Sequence, residues 1–153
     1  RSAAILIRNH TDYSLRSGEY ETSTGELTGL TTTIPATKIE TIQAYNSFGL
    51  KGTAGVVKYV IGDTGKALVV CWSIPLGYVT QENWFKYAVI DTPHWNEDFG
   101  ANLFDDMFNN KGNFTKGKLA KAVGGYSEWT TPGGWKVSGT MGDAANAVIV
   151  CDL

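Results

Sequence analysis

Histidine and cysteine are scarce in this chain, two of each in 153 residues, and their placement excludes the commonest metal chemistry. His10 and His94 stand far apart with no cysteine or carboxylate at ligand spacing, so no metal site is expected. A surplus of positive charge is missing too. Thirteen Lys and Arg against fifteen Asp and Glu give a net charge of -2 and a pI near 5.6, which lacks the basic footprint of a nucleic-acid partner. No apolar run approaches the ~20 residues that span a bilayer as a helix, so membrane contact is confined to the surface. There is no nucleophile elbow, P-loop or GxGxxG. Asp105 and Asp106 are adjacent on a predicted helix, where their side chains diverge instead of converging on one bond. Neither a catalytic residue nor a cofactor is expected.

What is present reads as β structure. At 153 residues, 42% of them hydrophobic, the chain fits a single domain over residues 1–153 with one core. Ala3 to Ile7 and Ile39 to Tyr45 read as strands, as do Gly52 to Ile61, Lys66 to Trp72 and Phe85 to Ile90. Gly62-Asp63-Thr64-Gly65 supplies a turn within that meander, and the Thr, Gly and Ser-rich stretch from Ser17 to Thr33 gives short strands and turns. Gly134 to Met141 and Ala147 to Asp152 form a closing hairpin around Gly142-Asp143. One segment breaks the rhythm. Phe99, Leu103, Phe104, Met107 and Phe108 recur at three and four, with Glu97 and Asp98 in the first turn and Gly112 beyond the end, which predicts a helix over 97–109. The expected fold is mainly β, an antiparallel β-sandwich of about ten strands with one flanking α-helix.

Cys71 and Cys151 both lie in apolar runs, where two buried free thiols or a disulfide are compatible with the sequence. Asn9-His10-Thr11 and Asn113-Phe114-Thr115 match the glycosylation acceptor pattern and lean toward a secreted chain. Arg1 in place of Met reads as a processed or trimmed start, with no leader visible.

The stretch that carries most information is Ala67 to Phe85, in which an apolar run ends in Ser73-Ile74-Pro75 and gives way to a polar loop bearing Tyr78, Trp84 and Phe85. Proline removes a ladder donor and fixes its own φ, so the chain turns there and presents aromatics. Trp and Tyr settle at the headgroup level of bilayers, and aromatic faces hold a quaternary ammonium by cation–π attraction. Phe104 and Phe108, a turn apart on the predicted helix, add to this aromatic set or anchor the helix to its sheet.

Ser73-x-Pro75 followed by Asn83-Trp84-Phe85 resembles the lipid-facing loop of the actinoporins, the pore-forming cytolysins of sea anemones. The resemblance extends over nearly the whole chain: Ala3 to Asn9 looks like their first sandwich strand, Gly52 to Val56 like a Gly-rich strand start, and Phe104 to Asn110 like the end of their helix. It implies a secreted, membrane-associating domain that recognises the phosphocholine headgroup of sphingomyelin and forms homo-oligomers on membranes. Carried over by position, the implied headgroup site is Ser73, Pro75, Tyr78, Trp84, Phe104 and Phe108, with Thr80, Gln81, Phe85 and Lys111 as further membrane-surface contacts. Thr80 and Gln81 stand where the family carries an outer Trp-Tyr pair, and three helix tyrosines become Phe104, Phe108 and Asn109. Lost hydroxyls mean lost phosphate hydrogen bonds, so weaker choline-phosphate binding is expected.

The chain opens directly on the first sandwich strand, without the amphipathic helix that lines the actinoporin pore, and so is expected to bind without lysis. Fungal fruit-body lectins, which share this fold class and lack that helix, are the alternative, with a glycan as ligand. They lack the Ser73-x-Pro75 to Trp84 loop. Aegerolysins share an element like Trp72 to Gly77 but end much sooner after it.

Overall fold

The computed structural model describes residues 1–47, 51–77, 82–91, 103–109, 118–121, 126–131 and 133–153, with 118–121 described through their backbone alone. Two sheets face each other. The first runs in the order β3-β4-β1-β11-β10-β9, from Glu26–Thr28, Ile39–Tyr45, Ser2–Arg8, Asn146–Asp152, Lys136–Met141 and Ser127–Thr130. The second runs β2-β5-β6-β7-β8, from Leu15–Thr24, Thr53–Ile61, Lys66–Ile74, Trp84–Asp91 and Lys118–Lys121.

Their burial follows from what covers each face. β1 alternates buried with half-buried residues, as expected of a strand with one face on the core. β5 and β6 are buried almost throughout, because the first sheet covers one of their faces and helix α1 (Leu103–Phe108) covers the other. Leu68, Val70, Trp72 and Ile74 of β6 point into the sandwich, while Ala67, Val69 and Cys71 point outward to a second apolar cluster that takes in Leu103, Phe104 and Met107 of α1. Three layers result: sheet, sheet, helix.

Glycine permits two close approaches, one between neighbouring strands of the second sheet and one between the two sheets. A Cβ on Gly55 would come within 2.8 Å of the Trp72 indole, and one on Gly139 within 2.9 Å of the Phe85 ring. Both aromatics need those gaps to fill the space between the sheets.

Several expectations change. The sandwich is not wholly antiparallel: β1 pairs with β11 in parallel, Ser2 opposite Asn146 through Arg8 opposite Asp152. The two strands lie at opposite ends of the chain, and the intervening chain makes the long crossover that a parallel pair requires. Asn9 is not a glycan acceptor site but a buried turn former. Its Nδ2 donates to the carbonyls of Tyr13 (2.7 Å) and Pro35 (3.1 Å), and its Oδ1 accepts from Thr11. Asn113 and residues 97–102 of the predicted helix lie outside the described residues. The closing hairpin and the Gly62 to Gly65 turn stand as expected. Cys71 and Cys151 are free and buried, one in each apolar cluster, and burial pushes both thiols well up.

Candidate functional site

The outward face of the second sheet, at the end where β6 stops and β7 starts, gathers most of the described site residues. Ser73 lies opposite Trp84 in the β6–β7 ladder, and directly paired residues share a face. Pro75 follows two residues on, half-buried, against Gly52: a Cβ there would meet its Cα at 2.9 Å and the Ile74 carbonyl oxygen at 1.9 Å. The strand therefore ends under steric constraint, with Ser73 as its last outward residue.

Trp84 begins β7 and is not on a loop. The residue before it explains why. Asn83 is buried, and its Nδ2 donates to the carbonyls of Gly142 (3.2 Å) and Ala144 (2.9 Å), which pins the start of β7 to the turn between β10 and β11. The indole is then held half-buried against the helix, 5.0 Å from Phe108 and 6.1 Å from Phe104 between ring centroids. Phe104 and Phe108 stack at 6.0 Å. They divide the work: Phe104 is 9% exposed and anchors α1 to the sheet, whereas Phe108 is 47% exposed and presents its ring to solvent.

Phe85 is a correction. Expected at a membrane surface, it is fully buried between the sheets, 5.6 Å from Tyr87 and against Gly139. Because the strand begins at Trp84, period two sends Trp84 outward and Phe85 inward. Tyr78, Thr80, Gln81 and Lys111 lie outside the described residues, so Ser73, Pro75, Trp84, Phe104 and Phe108 are the expected site residues whose positions are described.

One residue of this face escaped the sequence reading. Lys86, two positions after Trp84, is only 6% exposed, and its Nζ donates to the carbonyls of Met107 and Phe108, each at 2.6 Å. These are carbonyls at the C-terminal end of α1, which lack intrahelical partners and attract a cation. Nζ also lies 5.3 Å from the centroid of Trp84 and 5.8 Å from that of Phe108. The signal was present in Trp84-Phe85-Lys86-Tyr87-Ala88, where alternation places a lysine beside Trp84 and Ala88. On the far flank of the helix, Glu21 of β2 has its carboxyl held above the ordinary value by burial and by the charge of Asp105.

No known family profile matches the sequence. Bryoporin from Physcomitrium patens is 32% identical over 114 residues, a match spanning 73% of this chain and 62% of bryoporin. The crystal structure of the lipid-binding protein Nakanori superposes with a TM-score of 0.76 at 16% identity, covering 99% of this chain and 69% of that one. The chain is a homologue of bryoporin with an actinoporin-like fold. A lectin of Xerocomus chrysenteron also shares the fold, with a TM-score of 0.57 at 14% identity over 99% of both chains. This chain spans less than two thirds of bryoporin's length. These two solved neighbours are a lipid-binding protein and a lectin.

Proposed function

We propose that this actinoporin-like domain is a secreted membrane-surface binder that recognises a phosphate-bearing lipid headgroup of the phosphocholine and sphingomyelin type. The observation that carries the reading is the convergence of Ser73, Trp84, Phe104 and Phe108, drawn from β6, β7 and α1, on one outward patch beside Pro75. The hydroxyl of Ser73 suits a phosphate oxygen, and the exposed face of Phe108 with the edge of Trp84 suits the apolar surroundings of a headgroup at a bilayer interface. Tyr78 is assigned to the same proposed site, and Thr80, Gln81 and Lys111 to its further membrane-surface contacts, by their sequence positions and the actinoporin resemblance alone. Lipid binding by Nakanori and the homology to bryoporin support the same direction.

Binding without lysis is the second part of the proposal, for residues 1–153 by themselves. Among the described residues no helix is long and apolar enough to cross a membrane, and the inward apolar faces of the strands are buried in the sandwich core. Liposome pelleting with and without sphingomyelin tests the first part, and dye release tests the second. Retention on sphingomyelin vesicles without leakage is expected. Equal, negligible pelleting on both together with retention on a glycan array would replace the lipid reading with a lectin one, and efficient leakage would show that an internal segment inserts.

A further inference from the structure

Lys86 is poorly explained by packing alone. A strand residue on an apolar face between Trp84 and Ala88 has no need of an ammonium, and burying one is costly unless partners compensate. Here the partners are unusual. The ammonium reaches across to α1, donates to the carbonyls of Met107 and Phe108, and comes within cation–π range, roughly 6 Å, of two rings at once. Those rings, Trp84 and Phe108, are 5.0 Å apart and form the exposed aromatic part of the proposed headgroup patch.

A trimethylammonium seeks such rings because it is weakly hydrated and donates no hydrogen bonds. A primary ammonium loses less by staying in water. With a resident cation already beside both faces, a second positive charge brought to the same rings meets like-charge repulsion in a partly water-shielded place, while a phosphate is attracted there. We infer that Lys86 is a specificity-determining residue of the patch: its ammonium occupies the aromatic positions that would otherwise reward N-methylation of the headgroup, so the patch reads the phosphate and gains nothing from the quaternary ammonium. The inference rests on the patch being a headgroup site. It also gives a cause, within the chain itself, for the weaker phosphocholine binding that the sequence leads one to expect.

Sphingomyelin and ceramide phosphoethanolamine share backbone and phosphate and differ in three N-methyl groups, so vesicles containing one or the other isolate the effect. The wild-type chain is expected to bind the two within about twofold, or to favour the phosphoethanolamine. Lys86→Met frees the rings and is expected to bind sphingomyelin at least about fivefold more tightly than ceramide phosphoethanolamine, with Lys86→Arg behaving as wild type. Should Lys86→Met fail to fold, Lys86→Gln keeps an amide donor for the helix carbonyls without the charge and carries the same comparison. A several-fold wild-type preference for sphingomyelin, or a ratio that does not respond to loss of the charge, overturns the inference. Trp84→Ala separates this from failure of the site: if both vesicle types bind Trp84→Ala as well as wild type, or no form binds either, the patch is not a headgroup site and the inference falls with it.

Discussion

Trp84 and Phe85 are neighbours in the chain whose rings end on opposite faces of one sheet. Trp84 packs outward, 5.0 Å from Phe108, while Phe85 is fully buried between the sheets against Gly139. Asn83 sets this arrangement by tying the start of β7 to the turn at Gly142 and Ala144. The pairing of a proposed interaction residue with a core residue in one dipeptide makes their roles separable by experiment.

Phe85→Ala should therefore destabilise the fold by about 3–5 kcal/mol, the usual cost of truncating a fully buried phenylalanine. Trp84→Ala should cost about 1–2 kcal/mol, through lost ring contacts with Phe104 and Phe108. Membrane affinity should show the reverse order at temperatures where both variants are folded. Urea melts and vesicle pelleting on the two proteins check this. A larger stability loss for Trp84→Ala, with membrane binding intact, would mark Trp84 as core.

Gly139→Ala should be more damaging than an added methyl suggests. The new Cβ would come within 2.6 Å of the Val150 carbonyl oxygen and 2.9 Å of the Phe85 ring, and the first of these is backbone that cannot rotate away. Overpacking of this kind costs about 1–3 kcal/mol. Combining Gly139→Ala with Phe85→Leu relieves only the ring clash, so chemical denaturation should recover a part of the loss and leave the backbone share.

Much of this fold is legible before any coordinates. β4 alternates apolar with polar at period two because one face meets the core, the short apolar runs of β1 and β11 read as strands by length and composition, and the Gly62 to Gly65 turn and the Gly142 hairpin declare themselves by composition. The loop reading of Trp84 and Phe85 failed for a local reason. Gln81, Glu82 and Asn83 are polar, and nothing in the sequence distinguishes a solvated asparagine from one buried to bind two carbonyls. The parallel pairing of β1 with β11 is likewise invisible, since register between the two ends of a chain is fixed by tertiary closure. In the sequence Lys86 is only a charge in an apolar strand, and its partners belong to a helix that the topology, not the sequence spacing, lays over it.

Stability should pass through a maximum on the acid side of neutral. The Glu21 carboxyl is raised above 4.5, first by burial and then by Asp105, so the folded state binds its proton more tightly than the unfolded chain. Its neutral form stabilises the fold at low pH, and that contribution is lost as pH rises through the raised value. Asp152 works the other way. Burial alone would raise its carboxyl, but hydrogen bonds and charge from Arg8 and His10 hold it below 3.8, so its contribution is present above that value and lost as pH falls through the lowered one. Melting temperature should accordingly rise as pH is lowered from neutrality toward 4.5, then fall below 3.8. Glu21→Gln should raise stability at pH 7 and flatten the upper flank, and Asp152→Asn should flatten the lower one. An upper flank unchanged in Glu21→Gln would remove Glu21 as its source.

Phe108→Tyr should strengthen phosphocholine binding while leaving the fold intact. The ring is 47% exposed, so an added hydroxyl reaches solvent at no packing cost, and it stands at a position where the actinoporin resemblance places a helix tyrosine. A hydrogen bond from that hydroxyl to a charged phosphate is worth about 1.5–3 kcal/mol at best, less what the hydroxyl loses in water. The realistic expectation is a gain of about three- to tenfold on sphingomyelin vesicles, with no change in melting temperature beyond about 0.5 kcal/mol of stability. Phe104→Tyr is the matched control. Its ring is 9% exposed, so the hydroxyl must be buried or force α1 to shift, and it should cost stability without a comparable gain in affinity. If neither variant gains affinity while Trp84→Ala still loses it, the phosphate is held away from the helix, by Ser73 and the loop beyond Pro75, and the helix contributes only its ring faces.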